Sequence, residues 1–188
     1  MRIITGLLKG RKITIPGNLN VRPTTDRVKE GLFSVIESRR FIQNCTVLDL
    51  YAGSGNLGFE ALSRGAQSAL FVDSNNYATN HIDKTARAFD MQNQATTATI
   101  DVAYYLQGPA TPFDLIFADP PYTNRDIEET VQLIIEGGWL AGNGWLIFEH
   151  NKHHDFRAHD HLLFEKKYGR TLVSFFQGQP VTSTEKNG

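Results

Sequence analysis

A short apolar run that meets an acid and then breaks into glycines, Val47 to Gly58 (VLDLYAGSGNLG), constrains this chain more than any other stretch. Val47, Leu48, Leu50 and Tyr51 read as a strand buried on both faces, the pattern of a parallel strand inside an α/β sheet. Gly53, Gly55 and Gly58 then allow a tight turn and close approach of backbone to ligand before Leu57 to Arg64 resumes as a helix. A strand, a glycine turn and a helix predict a nucleotide pocket.

Two cofactor classes fit such a pocket. Gly53-Ser-Gly55-Asn-Leu-Gly58 spells GxGxxG, with Asp73 about where a ribose-binding acid would follow, as in a dinucleotide enzyme. Asp49 points elsewhere: its carboxylate would repel a pyrophosphate but suits the ammonium of S-adenosylmethionine, which also carries a sulfonium. An acid that only caps a turn is the plainer alternative.

With 188 residues and 40% hydrophobic content, the chain is expected to form one well-buried domain with a small appendage. No segment approaches the roughly 20 apolar residues of a membrane span, and MRIITGLLKGRK lacks the apolar centre of a secretion signal, so a cytoplasmic protein is expected. A lone Cys45 excludes an internal disulfide and a multi-cysteine zinc site, and no His or Asp pattern marks it as a nucleophile. Net charge is −1, but it is unevenly spread. Residues 1–30 carry Arg2, Lys9, Arg11, Lys12, Arg22, Arg27 and Lys29 against Asp26 and Glu30, a basic arm on an acidic body. Such an arm is a phosphate-binding footprint or else a solvated face.

Segments 2–5 and 12–15 flank a glycine-containing middle and read as a β-hairpin with Lys9, Arg11 and Lys12 near its tip. Pro23 keeps Val21-Arg22 extended, and Thr24 or Thr25 is expected to cap a helix with Val28, Leu32, Val35 and Ile36 on its apolar face. From Cys45 strands at 47–51, 68–72, 96–100, 113–118 and 144–149 alternate with helices at 57–64, 75–89, 102–106 and 125–136, the signature of a doubly wound α/β sheet. The runs 162–168 and 171–177 stand too close for a helical crossover, so the last strand is expected to insert antiparallel. The polar end, 178–188, is expected to fray.

Asp73 ends the second strand, at the carboxyl edge where ligands bind in this architecture, and is placed to accept ribose hydroxyls. Asp101 ends the third and either orients an adenine amino group or caps the short helix that follows. Asp119-Pro120-Pro121-Tyr122 closes the fourth strand. Two prolines remove two amide donors, leaving the Asp119 carboxylate and the Pro120 carbonyl as acceptors for an NH2 group. Binding both protons of a conjugated amino group localises its lone pair for attack on a methyl, and Tyr122 can stack on the base.

The pairing of DLYAGSGNLGFEALSRGA with DPPY resembles the amino-methylating class I S-adenosylmethionine enzymes. RIITGLLKGRK followed by RPTTDRVKEGLF, with FVDSN between the two motifs and EKKYGRTLVSFF at the end, resembles more narrowly the RsmD family of bacterial 16S ribosomal RNA guanine-N2 methyltransferases, from about Arg2 to Phe176. The resemblance implies a Rossmann-like methyltransferase sheet, mostly parallel with an antiparallel last strand, in an α/β/α sandwich. It implies cofactor contacts from Asp49, Tyr51, Ala52, Gly53, Ser54 and Gly55, from Asp73 and Ser74, and from Asp101 and Val102. Asp119, Pro120, Pro121 and Tyr122 would hold the guanine amino group, and Lys9, Arg11, Lys12, Arg22, Thr25 and Arg27 would hold RNA. On this reading residues 1–42 are an RNA-recognition extension, 43–178 the methyltransferase domain and 179–188 a flexible tail. The substrate is 16S ribosomal RNA, within a small-subunit particle, and the enzyme a monomer off the membrane. Tyr51 and Gly31 depart from the family pattern, which has Phe and Ala there, and Ile100-Asp101-Val102 departs from Asp-Ala.

Three rivals remain. A DNA adenine-N6 methyltransferase shares the DPPY loop but normally carries an insertion for which this length leaves no room. A nicotinamide-dependent dehydrogenase fits GxGxxG, and a catalytically silent RNA-binding module would not need Asp119 and both prolines. His150, His153, His154, His159 and His161 lack a recognised ligand spacing, so structural or solvent roles and no metal are expected. Trp139 and Trp145 are expected in the core or an interface.

Overall fold

A computed structural model describes residues 1–14, 26–121, 127–169 and 171–179. The expected caps Thr24 and Thr25 lie outside the described residues, as do residues 180–188 of the tail. Two compact units emerge, Met1–Asp101 and Val102–Gly188, so the N-terminal 42 residues belong to the first unit.

In the first unit, α1 (Asp26–Glu37) precedes β1 (Thr46–Leu50), α2 (Asn56–Ser63), β2 (Ser68–Asp73), α3 (Asn76–Ala88) and β3 (Ala95–Thr99). The strands run parallel in the order β3-β2-β1, with Asp49 opposite Phe71 and Asp73 opposite Thr99. Apolar side chains on both faces explain β1, whose Val47, Leu48 and Leu50 are all buried. Phe59 of α2 packs on Phe71 of β2 and on Phe89, with ring centroids 5.0 and 5.6 Å apart. Asn75 caps α3 by accepting the Tyr77 amide at 2.9 Å.

The face α1 buries is Lys29, Leu32, Phe33 and Ile36, whereas Val28 and Val35 are only half-buried. The reason is an ion pair. Lys29 and Glu60 of α2 are fully buried, with Nζ 3.0 Å from Oε2. The other two ammonium donors go to the Arg2 carbonyl at 2.6 Å and to Asn56 Oδ1 at 2.7 Å. Glu60 also accepts the amides of Ile4 and Thr5 and, at 2.9 Å, the guanidinium of Arg64, which in turn pairs with Glu37. Burial pushes the Lys29 ammonium below its ordinary pKa, against the pull of Glu60.

This network straps the N-terminal segment down. Arg2 and Lys12 form one antiparallel bridge, and the tip packs on the end of α2: the Leu7 amide donates to the Ser63 carbonyl at 2.7 Å and the Leu8 amide to Ser63 Oγ at 2.9 Å. Gly6, at φ +86°, is required there, since a Cβ would stand 1.7 Å from the Ser63 carbonyl oxygen. The expected hairpin thus pairs antiparallel, with the Ile3 amide on the Arg11 carbonyl and the Ile13 amide on the Met1 carbonyl, and its tip is docked on α2.

In the second unit, α4 (Val102–Leu106), β4 (Phe113–Ala118), α5 (Ile127–Glu136), β5 (Leu140–His150), β6 (Leu162–Tyr168) and β7 (Thr171–Gln177) follow. Strand order is β4-β5-β7-β6. β4 and β5 are parallel, and β7 lies antiparallel between β5 and β6, as the short connection demanded. β5 begins four residues earlier than expected, because Leu140 pairs with Phe113 ahead of a register shift that Trp145 resumes at Leu115. Both tryptophans are core: Trp139 donates Nε1–H to the Leu106 carbonyl at 3.1 Å, and Trp145 packs edge-on to Phe164 and Phe175. The two units together carry the expected alternating, mostly parallel α/β architecture with an inserted antiparallel strand.

Lys29→Met would leave Glu60 with the Arg64 guanidinium and the Ile4 and Thr5 amides but without the Lys29 charge, and would take the Lys29 donor from the Arg2 carbonyl and Asn56 Oδ1. It is expected to lower unfolding free energy by about 3–5 kcal/mol, read from the denaturant midpoint. A loss under about 1 kcal/mol would show that Arg64 suffices, as for an exposed pair.

Candidate functional site

At the carboxyl end of β1 the chain turns back on itself through left-handed backbone. Tyr51 has φ +56°, Gly53 +54° and Gly55 +73°. Left-handed residues alternating with ordinary ones curl amide groups toward one side and make a concave backbone surface. Glycine adopts this freely; a tyrosine there stores of order 1–3 kcal/mol of strain, which the surroundings must hold. They do so with main-chain bonds: the Ala52 amide donates to the Val72 carbonyl at 3.1 Å, and the Gly55 amide to the Ala52 carbonyl at 2.7 Å. Gly55 is the N-cap of α2 and has no side chain to cap it.

Two carboxylates brace the turn. Asp49, 3% exposed, accepts the Gly58 amide on Oδ2 at 2.9 Å, so the acid does tie down the first turn of α2, where the helix dipole favours it. Gly58 is needed for that approach, because a Cβ would meet Phe71 at 2.2 Å and Asp49 Oδ2 at 3.1 Å. Asp73, half-buried at the end of β2, accepts the Gly53 amide on Oδ2 and the Asn75 amide on Oδ1, each at 2.8 Å. A carboxylate offers about four acceptor positions, so Asp73 retains capacity for ligand hydroxyls. Ser74 beside it is exposed. Ala52 and Ser54 are buried and Gly53 half-buried within the turn. The structure thus brings Asp49, Tyr51 to Gly55, Asp73 and Ser74 together at one carboxyl edge. Asp101 is exposed, just beyond the end of β3, and Val102, buried, opens α4.

In the second unit, Asp119 leaves the carboxyl end of β4 half-buried, Pro120 is buried and Pro121 exposed. Tyr122 lies outside the described residues. The loop sits where a parallel strand delivers ligand-binding groups, and its prolines offer carbonyls without amides.

Lys9, Arg11, Lys12 and Arg27 are all exposed, and Arg22 and Thr25 lie outside the described residues. Arg11 is engaged internally: its guanidinium donates to the Ala88 carbonyl and lies 4.9 Å over the Phe89 ring. Arg2 pairs with Asp26 at 2.9 Å. Lys29, counted among the arm's cations, contributes no surface charge, being fully buried.

Sequence reasoning missed Asn56, Glu60 and Arg64. Only the Glu60–Arg64 spacing of four was a readable signal. His150 is buried, its Nε2 2.8 Å from Ser174 Oγ and its Nδ1 2.9 Å from the Asn151 carbonyl, and burial holds its pKa below the ordinary value. His154 meets Glu128 at 2.6 Å. No group of three metal-binding side chains occurs among the described residues, nor any helix long and apolar enough to cross a membrane.

Residues 1–177 match a family model described as conserved hypothetical protein 95. Ribosomal RNA small subunit methyltransferase D of Escherichia coli K12 is 36% identical over 149 residues, covering 79% of this chain and 74% of that protein. The protein of the same name from Haemophilus influenzae is 33% identical, covering 93% of this chain and 91% of its own length. The solved structure of yhhF from Escherichia coli superposes with a TM-score of 0.84 at 32% identity, over 96% of this chain and 99% of that one.

Gly58→Ala overpacks the contact among α2, Phe71 and Asp49. It is expected to cost about 1–3 kcal/mol in thermal unfolding; an unchanged melting temperature would show that the ring of Phe71 yields.

Proposed function

The chain belongs to the ribosomal RNA small subunit methyltransferase D family, and we propose that it transfers a methyl group from S-adenosylmethionine to the exocyclic N2 of one guanine in 16S ribosomal RNA. The observation that carries this reading is the turn at residues 51–55, braced at Gly53 by Asp73 and followed by a first turn of α2 tied to the buried Asp49, with no basic side chain from Asp49 to Gly58. That donor set fits a cofactor with cationic ends and a ribose, and offers no cation for a pyrophosphate.

When bound, S-adenosylmethionine supplies a methyl group on a sulfonium, an electrophile that needs only a presented nucleophile. Asp49 gives the cofactor's cationic end a counter-charge from a site that water does not screen. Asp73 accepts ribose hydroxyls on the positions that Gly53 and Asn75 leave. Tyr51 to Gly55 supply backbone that approaches closely, Ser74 borders the ribose acid, and Asp101 and Val102 contact the adenine. The Asp119 carboxylate and Pro120 carbonyl accept the two guanine N2 protons, holding the nitrogen so that its lone pair leaves conjugation with the ring. As the N–C bond forms, the methyl–sulfur bond would break with its electron pair leaving on the neutral thioether of S-adenosylhomocysteine, and Asp119 or water would take one proton from the now strongly acidic nitrogen. Pro121 fixes the loop, and Tyr122 stacks on the extruded base.

The extension at residues 1–42 is the RNA-binding element of this proposal, with Lys9, Arg11, Lys12, Arg22, Thr25 and Arg27 on the backbone of the RNA. The substrate is 16S RNA in a small-subunit particle, and the protein acts as a cytoplasmic monomer.

The test is incorporation of a labelled methyl group into small-subunit RNA, followed by mapping of the modified base. N2-methylguanine at one position is expected; a methylated adenine, or no incorporation, would overturn the reading. Asp119→Ala is expected to slow single-turnover transfer about 10²-fold or more with cofactor affinity retained, and a wild-type rate would remove Asp119 from the chemistry.

Asp73→Ala loses a ligand contact and the brace on Gly53 together. Calorimetry should show cofactor affinity reduced about tenfold or more and RNA affinity unchanged. Unchanged cofactor affinity would leave Asp73 as a brace alone.

A further inference from the structure

Asn56 stands where the cofactor turn becomes α2, directly after Gly55, and is 6% exposed. Its Oδ1 accepts from Lys29, while its buried Nδ2 has no partner among the described residues. An amide with one half idle is a poor choice for stability, since burying an unmet donor is costly. Its working half joins the cofactor turn to the RNA arm by a short route. The Lys29 ammonium donates at once to Asn56, beside the turn, and to the carbonyl of Arg2, at the root of the arm. The third donor meets Glu60, which accepts the next arm amides at Ile4 and Thr5. One buried cation therefore fixes the arm backbone against the glycine turn within two hydrogen bonds.

We infer that Asn56 and Lys29 are positioning residues that hold the arm in register with the cofactor turn, so that RNA anchored on the arm presents its target base at a fixed distance from the bound cofactor. The inference rests on the proposed methyl transfer. It assigns neither residue a contact with substrate or cofactor. Arm cations still find phosphates if the link is cut, and the turn still binds cofactor, because Asp49 and Asp73 brace it independently. Only the alignment is lost, and misplacement by about 1 Å can cost on the order of 10²-fold in rate.

The test uses the full chain with Asn56→Ala and Asn56→Asp. Alanine removes the acceptor of Lys29; aspartate keeps an acceptor oxygen and removes the idle donor. Asn56→Ala is expected to slow single-turnover methylation about tenfold or more while both dissociation constants stay within about threefold of wild type. Asn56→Asp is expected to restore most of the rate. Hydrogen exchange at the Ile4 and Thr5 amides should quicken in Asn56→Ala and return toward wild type in Asn56→Asp. A wild-type rate in Asn56→Ala, a loss that aspartate does not rescue, or an equal fall in cofactor affinity would each overturn the inference. A wild-type chain that fails to methylate small-subunit RNA would instead overturn the proposed function, and amide exchange would still report whether the link orders the arm.

Discussion

The turn between β1 and α2 holds its shape because two carboxylates grip its backbone. Asp73 takes the amide of Gly53 from one side, and Asp49 takes that of Gly58 from beneath. They add to the main-chain bonds of Ala52 and Gly55 in holding three left-handed residues in five, of which Tyr51 alone is not a glycine and is strained there. The acids that meet the cofactor in the proposed function thus have a structural duty first. Such dual use suits catalysis. A carboxylate already fixed by backbone amides need not reorganise when a cation arrives, so its attraction is delivered with little entropic loss.

The other buried charges make a different bargain with solvent. Removing Lys29 and Glu60 from water costs several kcal/mol per ion, and their mutual attraction offsets this only when remaining donors and acceptors are met. Here they are: three ammonium protons find three oxygens, and the carboxylate receives two amides and two cations. An apolar replacement of the pair could hold α1 against α2 as well, but it could not bind the amides of Ile4 and Thr5 or the carbonyl of Arg2. The ion pair earns its place by satisfying the backbone of a segment too short to form a ladder of its own.

Much of the fold was legible because its strands are short apolar runs ended by acids or glycines. β4, β6 and β7 fall where alternation and burial placed them, and the closeness of β6 and β7 gave the antiparallel insertion. The start of β5 was hidden, since Ala141-Gly-Asn-Gly144 has turn composition and is extended only through pairing at Leu140. The buried face of α1 was misread for a related reason. A lysine counts as exposed in any pattern of apolar spacing, and its partner lies thirty-one positions away on another helix. Periodicity reports what a helix face prefers, while a tertiary ion pair decides what it must accept. In the candidate site, Asp49, the glycines and Asp73 were legible from the order strand, acid, glycine, helix; that each acid binds a particular amide was not, because this depends on backbone angles.

The same distinction revises the basic arm. Counting charges over residues 1–30 treats its seven cations alike, yet Lys29 is enclosed, Arg2 is paired with Asp26, and Arg11 is drawn over Phe89 with a proton on the end of α3. A guanidinium held in this way can still face a phosphate with its remaining donors, and being immobilised beforehand it loses less freedom on doing so. Lys9 and Lys12, on the docked loop, are exposed ammoniums on flexible stems, suited to a diffuse phosphate field more than to a fixed contact. In the proposed function the cations of one arm would therefore divide: the lysines would draw a polyanion in, and the arginine, already fixed to the fold, would set where its backbone comes to rest.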